Sequence, residues 1–152
     1  MRITITLNGQ ATRLDVEPQE FLLDTLREGL GLTGAKRSCD VQVCGTCTVL
    51  VDGRPVSACT YLTVETDGRE ILTIEGLRNI PAFDRIAEAF SRHAALQCGF
   101  CTPGMALTIH SLLEADELTD EESIREGLAG NLCRCTGYRA IVDATAELVG
   151  KV

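Results

Sequence analysis

Residues 39–47 read CDVQVCGTC and place three cysteines within nine positions, separated only by small, polar or aliphatic residues. A fourth cysteine follows at position 59, and a second set of four lies further along the chain, at Cys98, Cys101, Cys133 and Cys135. Each half of the 152-residue chain therefore holds four of the eight cysteines. Thiols at this density indicate either disulfide bonds or the binding of a metal centre.

The composition favours the second alternative. The segment MRITITLNGQ lacks the apolar core of a signal peptide, so we expect a cytoplasmic protein, periplasmic only if a partner carries the export signal. Cytosolic thiols stay reduced, which favours metal ligation over disulfides. A net charge of −8 argues against nucleic acid or anionic lipid as a main partner. No run of roughly 18 apolar residues predicts membrane insertion, and the expected partners are proteins.

The first set of cysteines has the spacing C-x4-C-x2-C, which plant-type ferredoxins use to bind a 2Fe-2S cluster. Structural zinc sites normally divide their ligands between two separate pairs, whereas three cysteines on one loop suit a larger object. Gly45 lies among them, where a missing Cβ would let the backbone come close to the cluster.

The position of the fourth ligand follows from a predicted hairpin. CTVLVDGRPVSAC predicts a strand over residues 47–51, a two-residue turn at Asp52 and Gly53, and a returning strand. This register places Cys59 beside Cys47. Pro55 cannot donate a ladder hydrogen bond, so we expect the returning strand at an edge of the sheet or only briefly paired.

The flanking segments predict a small sheet packed on a helix. Alternating apolar residues on both sides of an Asn8-Gly9 turn predict an N-terminal hairpin, and REILTI at residues 69–74 predicts a late strand. Leucines at helical spacing predict a helix between them, at Leu22, Leu23, Leu26 and Leu30.

After EGLRNIP, residues 75–81, which reads as a linker, the pattern becomes helical. Four helices are predicted, the third opened by a capping box of Thr119 and Glu122. Their apolar stripes are Phe83, Ile86, Ala87 and Phe90; Met105, Ile109, Leu112 and Leu113; Ile124 and Leu128; and Ile141, Val142, Ala146 and Val149.

The second set of cysteines lies at the joints between these helices. CGFCTPG leads into a helix with Thr102 as the cap and Pro103 at the first position, and CRCTGY leads into the last helix through Gly137. Helix N-termini favour an anionic centre. A C-x-C pair crowds a single tetrahedral ion, so the spacing favours an iron-sulfur cluster, with zinc as the open alternative.

Three segments carry a family resemblance. LGLTGAKRSCDVQVCGTCTVLVDGRPVSAC, QCGFCTPGM and NLCRCTGY closely resemble the small iron-sulfur subunit of the molybdenum hydroxylases, the xanthine dehydrogenase and aldehyde oxidoreductase family. The resemblance implies an α+β chain: an N-terminal β-grasp, plant-type ferredoxin-like domain over residues 1–76, then an all-α four-helix domain over residues 77–152.

The resemblance also implies the ligands and partners. One 2Fe-2S cluster would be held by Cys39, Cys44, Cys47 and Cys59, and a second by Cys98, Cys101, Cys133 and Cys135. Gln97 and Cys135 match family positions that contact the pterin. The partners implied are a large subunit binding molybdopterin, in its cytosine dinucleotide form, and a medium subunit binding FAD. Electrons would pass from the molybdenum centre through both clusters to the flavin or another acceptor while an aldehyde or N-heteroaromatic substrate is hydroxylated.

Two features qualify this interpretation. Gln42 stands where the family usually has glycine, which would cost about 1 kcal/mol if the position needs a positive φ. No catalytic residue is expected, since His93 and His110 have no acid or nucleophile at motif spacing. A free-standing ferredoxin-like carrier and a zinc-stabilised interaction module remain the competing interpretations.

Overall fold

The computed structural model describes residues 1–150. It begins with an antiparallel hairpin of β1 (Arg2–Leu7) and β2 (Gln10–Asp15). The turn residues Asn8 and Gly9 have φ values of 50° and 80°, as a two-residue hairpin turn of type I′ requires. This predicted hairpin is confirmed.

The leucine-rich segment forms a helix that changes its geometry partway. Helix α1 (Leu22–Asp24) continues as a π-helical turn, Thr25–Gly29, which the sequence did not predict. Leu22, Leu23 and Leu26 are completely buried against the sheet, as their spacing predicted. A short 3-10 turn follows later, at Thr63–Thr66.

Three further strands complete a mixed five-stranded sheet. They are β3 (Thr48–Val51), β4 (Arg54–Ser57) and β5 (Glu70–Leu72), and the strand order is β2-β1-β5-β3-β4. β1 and β5 pair in parallel, and the other pairs are antiparallel. Val51 lies opposite Arg54, and Pro55 lies on an edge strand, so the predicted register and edge position are both confirmed.

Helices follow the sheet. They are α2 (Ile74–Leu77), α3 (Pro81–Arg92), α4 (Thr102–Glu114), α5 (Glu121–Gly127) and α6 (Arg139–Leu148). The linker interpretation of residues 75–81 is wrong in its first part, because α2 occupies it and buries Ile74 and Leu77 in the helical core. Pro81 then begins α3.

The helix caps differ from the predicted ones by a residue. α5 begins with a capping box between Asp120 and Ser123 instead of Thr119 and Glu122, because the serine hydroxyl can accept from the cap amide as the glutamate would. Cys101, not Thr102, is the N-cap of α4. In α3 the buried small residue is Ala89, whereas the predicted Ala87 is exposed.

Two hydrophobic cores meet at β3. Val49 and Val51 belong to the core under the N-terminal sheet, whereas Leu50 belongs to the core built by the helices. Successive residues of a strand point to opposite faces, so one strand is covered on both sides and all four of its residues are buried. Cys47 lies at the start of this doubly covered strand. No helix within residues 1–150 is long and apolar enough to cross a membrane.

Candidate metal centres

The first cysteine group, Cys39, Cys44, Cys47 and Cys59, comes together as two pairs. The thiols of Cys39 and Cys44 interact on the loop, where both residues are half-buried. The thiols of Cys47 and Cys59 interact beneath the surface, and both residues are buried. The Ala58 amide donates to the Cys47 carbonyl oxygen at 3.4 Å, so the hairpin returns Cys59 beside Cys47 as its register predicted.

Backbone amides of the loop donate to Cys39, which forms the outer pair of the first group with Cys44. Cys39 Sγ accepts from the amides of Val43 and Cys44, both at 3.4 Å. The amide hydrogen bonds, that of Val41 first, lower the Cys39 pKa to about 6. Gln42 has a φ of 57°, so the glutamine occupies the left-handed conformation that the family's glycine would suit. Amide donors of this kind stabilise thiolates and raise the reduction potential of a cluster.

The inner pair of the first cysteine group lies in a different environment. Cys47 and Cys59 are only 2% and 4% exposed. Burial raises the pKa of Cys47 to about 12, so the thiolate needs a compensating positive charge. Iron ions bound at this position would supply that charge.

The second cysteine group, Cys98, Cys101, Cys133 and Cys135, is also paired. Cys135 Sγ lies 3.5 Å from Cys98 Sγ, and both residues are exposed. The thiols of Cys101 and Cys133 interact further inside, where both residues are half-buried and burial raises the pKa of Cys101 to about 11. Burial alone would raise the pKa of Cys133, but the hydrogen bonds from Thr136, from the Cys135 amide and from Cys101 together lower it.

The helix starts hold this second group in place. Cys101 is itself the N-cap of α4, and α6 begins at Arg139 after the Cys133–Cys135 segment. Thr136 donates to Cys133 Sγ through its hydroxyl at 3.0 Å and through its amide at 3.5 Å. The predicted placement of these cysteines beside helix starts is confirmed, although Tyr138 rather than Gly137 is the last residue before α6.

The paired arrangement suits one kind of metal centre. A 2Fe-2S cluster contains two irons joined by two sulfides, and four cysteines complete it by binding each iron in a pair. Two pairs of thiols in each group therefore fit a 2Fe-2S cluster better than a tetrahedral zinc ion.

The two groups lie next to each other. One cavity of about 530 Å³ is lined by Cys44 of the first cysteine group and by all four cysteines of the second. Gly45 has a φ of 69°, and a Cβ at this position would lie 2.2 Å from the Gly130 carbonyl oxygen. The missing Cβ of Gly45 therefore leaves room for the backbone at Gly130, three residues before Cys133.

The remaining predicted site residue, Gln97, is exposed and directly precedes Cys98. The contact between Cys98 and Cys135 therefore brings Gln97 and Cys135 to the same exposed face. Around them lie three exposed apolar side chains, Leu96, Phe100 and Leu132.

Sequence reasoning missed the polar residues that hold the second group, namely Asn131, Thr136 and Tyr138. Asn131 and Tyr138 bound the NLCRCTGY segment, but only the folded chain shows what they contact. The sequence signal that could have identified these three residues was their position next to the cysteines.

Comparisons with known proteins agree with this geometry. A family described as "2Fe-2S iron-sulfur cluster binding domain" matches residues 5–73, and one described as "[2Fe-2S] binding domain" matches residues 73–146. The chain is 44% identical to the 6-hydroxypseudooxynicotine dehydrogenase complex subunit beta of Paenarthrobacter nicotinovorans, over 96% of this chain and 92% of that protein.

Solved structures of two oxidoreductases show the same fold. Quinoline 2-oxidoreductase from Pseudomonas putida 86 superimposes with a TM-score of 0.87 and 44% identity, covering 100% of this chain and 98% of the matched chain. Aldehyde oxidoreductase from Desulfovibrio gigas gives a TM-score of 0.87 and 37% identity, but there this chain covers only 18% of the matched chain.

Paired thiols in each half, two matched 2Fe-2S domains and relatives of this similarity define the class of protein. The chain belongs to the small iron-sulfur subunits of the molybdenum hydroxylase family, the family of xanthine dehydrogenase and aldehyde oxidoreductase. It is a non-catalytic electron-transfer subunit of an oxidoreductase complex.

Proposed function

We propose that this chain carries electrons from the molybdopterin centre of a large partner subunit, through two 2Fe-2S clusters, to a medium FAD-binding subunit or another acceptor. The observation that carries the proposal is the arrangement of eight cysteines as two groups, each made of two thiol pairs. The cytoplasm is the compartment proposed for the complex.

The proposed ligands follow from the pairs. In the first cluster, Cys39 and Cys44 bind one iron and Cys47 and Cys59 the other. In the second, the ligands pair as Cys98 with Cys135 and Cys101 with Cys133. The clusters supply reversible one-electron chemistry when bound, and this chain's residues would hold them, donate hydrogen bonds to their thiolates and bury the inner pair of the first group.

The domain division is part of the same proposal. We assign residues 1–76 to the ferredoxin-like β-grasp domain and residues 77–152 to the helical domain, built on α3, α4, α5 and α6. Two observations support a division close to this boundary: the matched families meet at residue 73, and the buried apolar residues form two separate clusters. Residues 151 and 152 of the second domain lie outside the described residues.

The second cluster is proposed to face molybdenum. The Cys98–Cys135 pair is exposed, and Gln97 lies beside it on a face rich in exposed apolar side chains. Gln97 and Cys135 are proposed to contact the pterin there, in its cytosine dinucleotide form. The first cluster then passes the electrons on, because its proposed ligand Cys44 lines the same cavity as the four cysteines of the second.

The substrate belongs to the partner, and we propose a class for it. Two relatives that are 44% identical to this chain are named for a pyridine-derived compound and for quinoline. An N-heteroaromatic ring is therefore the first class to assay on the intact complex, and aldehydes are the second.

The Gln97→Ala variant tests the order of the clusters. It removes a polar side chain from the exposed face and leaves every cysteine in place, so both clusters should assemble. Rapid-freeze electron paramagnetic resonance (EPR) of the intact complex should show slower reduction of the second cluster by substrate, or weaker docking of the molybdenum subunit. Gln19→Ala changes another exposed glutamine, which lies in the loop between β2 and α1, and is the control. Wild-type docking and reduction rates in Gln97→Ala would rule out the pterin contact.

A free-standing carrier is the alternative function. Purification of the chain from its source under mild conditions separates the two functions, because the proposal requires large subunits in fixed stoichiometry. Quantitative recovery of the chain alone, with both clusters and rapid electron exchange with small acceptors, would favour the carrier.

A further inference from the structure

A direct backbone hydrogen bond joins the two cysteine groups. The amide of Leu132 donates to the carbonyl oxygen of Cys44 at 2.8 Å. Cys44 belongs to the first group, and Leu132 is bonded to Cys133 of the second. Cys44 and Cys133 are therefore linked by one hydrogen bond and one peptide bond.

The side chain of Asn131 reinforces this contact. Its Nδ2 donates to the Gly45 carbonyl oxygen at 3.1 Å and to Thr48 Oγ1 at 3.3 Å. Thr48 Oγ1 in turn donates to the same Gly45 oxygen at 2.7 Å. Asn131 is only 4% exposed, so removal of its side chain would take a direct hydrogen bond from the Gly45 carbonyl oxygen at a buried position.

Tyr138 holds the same segment from its other side. The phenol hydroxyl donates to the Asn131 carbonyl oxygen at 3.0 Å and accepts from the Cys133 amide at 2.9 Å. Tyr138 has a φ of 71°, an uncommon conformation for a bulky residue, and it is held at the start of α6. The segment from Asn131 to Cys133 is thus fixed against both Gly45 and α6.

Close backbone packing removes the remaining freedom. A Cβ on Gly45 would lie 2.2 Å from the Gly130 carbonyl oxygen, and a Cβ on Gly104 would lie 2.3 Å from the Gly45 carbonyl oxygen. The loop of the first group is therefore wedged between the start of α4 and the segment that precedes Cys133. We call the set of Cys44, Gly45, Thr48, Asn131, Leu132 and Tyr138 the clasp.

We propose that Asn131 and Tyr138 are positioning residues that set the distance, and hence the rate of electron transfer, between the two clusters. The inference rests on the proposed function, since it concerns the passage of electrons between the groups. One electron leaves the reduced cluster and enters the oxidised one, and no bond or proton of the clasp changes. Electron tunnelling weakens steeply with distance and with the loss of bonded contacts, so loosening the clasp slows the transfer.

The test uses the Asn131→Ala variant in the intact complex. Iron content and two separate EPR signals are measured first, because their absence would count against the proposed function and not against the clasp. The magnetic splitting between the two fully reduced clusters is then compared with wild type, together with the rate at which the second cluster reduces the first. We expect about four irons per chain, a smaller splitting and slower transfer.

Thr145→Ala is the matched control. Thr145 is completely buried, and its hydroxyl donates to the Ile141 carbonyl oxygen inside α6, away from the clasp. It should lower the thermal stability of the helical half without changing the splitting. A wild-type splitting and transfer rate in Asn131→Ala, or an equal loss in Thr145→Ala, would overturn the proposal.

Tyr138→Phe gives a second reading in case Asn131→Ala fails to retain both clusters. It removes one hydroxyl and keeps the ring, and Tyr61→Phe is its control, because Tyr61 is the chain's other tyrosine. We expect a smaller magnetic splitting in Tyr138→Phe and a wild-type splitting in Tyr61→Phe. An unchanged splitting in Tyr138→Phe would then refute the positioning role.

Discussion

Both cysteine groups offer four thiols, but the two groups are buried to different extents. In the first group the inner pair is almost completely buried, with Cys47 at 2% and Cys59 at 4% exposure. In the second group the inner pair is only half-buried, and Cys98 and Cys135 are exposed. The ferredoxin-like half therefore encloses much of its own centre, whereas the helical half leaves one pair of thiols for a partner to cover.

The difference arises from the elements that present the cysteines. A hairpin places Cys47 just before β3 and Cys59 just after β4, and both belong to the core under the sheet. In the second group the cysteines lie in short loops before α4 and α6, which cover them from one side. The same chemistry is thus placed either inside a core or at a surface.

Removing one ligand from either group should give the largest effects, and each variant should lose a different cluster. Cys47→Ala should lose the first cluster, and Cys135→Ala the second, so that each variant keeps about two of about four irons. Cys47→Ala should also lower the thermal unfolding midpoint more, because it takes the cluster out of a core. Iron analysis, EPR and calorimetry measure these outcomes. Loss of the same signal in both variants would contradict the assignment of the two groups.

The next effect concerns the chain separated from its partners. Exposure of Cys98 and Cys135 should let a chelator or oxygen remove the second cluster well before the first. If a partner covers this face in the intact complex, as proposed, the difference should largely disappear there. EPR spectra recorded during incubation with a chelator follow each signal. Earlier loss of the first cluster's EPR signal would contradict the conclusion that the first group protects its cluster better.

A smaller effect tests whether the two halves are joined at the loop of the first group. Gly45 and Gly53 have φ values of 69° and 77°, but only Gly45 lacks room for a Cβ. Gly53→Ala should cost about 1 kcal/mol of unfolding free energy, from backbone strain alone. Gly45→Ala should cost about 3 kcal/mol, because overpacking is added to that strain. Equal thermal shifts in the two variants would mean that Gly45 does not make the close contact with Gly130.

The smallest effect concerns Gln42. Its φ of 57° is strained, but its Oε1 accepts a hydrogen bond from Thr60 Oγ1 at 3.2 Å. In Gln42→Gly the relief of strain should offset the loss of this exposed bond, changing the unfolding free energy by less than about 1 kcal/mol. Iron content should stay the same and the first cluster should survive at least as long as in wild type. Thr60→Val removes the hydrogen bond alone and shows its separate contribution. Faster cluster loss in Gln42→Gly would show that the glutamine side chain makes a needed contact.

Local patterns predicted the first half well. The Asn8-Gly9 and Asp52-Gly53 turns fix their hairpins through backbone conformation, and Pro55 identifies the edge strand. These features depend on residues that are neighbours in sequence. The prediction of Cys59 beside Cys47 succeeded because it needed only the register of one hairpin.

Contacts between distant segments were not predictable in the same way. Residues 75–77 looked like part of a linker and Ile74 like the end of a strand, yet Ile74–Leu77 form α2, because Ile74 and Leu77 are buried in the core built by the later helices. The role of Gly45 was predicted from the cluster, while the structure places Gly130 beside it. Asn131 carries no pattern of its own, and its function appears only when the two halves are packed together.

The central claim is that each cysteine group holds one 2Fe-2S cluster, and its direct test is metal analysis of the anaerobically purified chain. The account predicts about four irons and about four acid-labile sulfides per chain, with two distinct EPR signals after reduction. Zinc in stoichiometric amount without sulfide would contradict it.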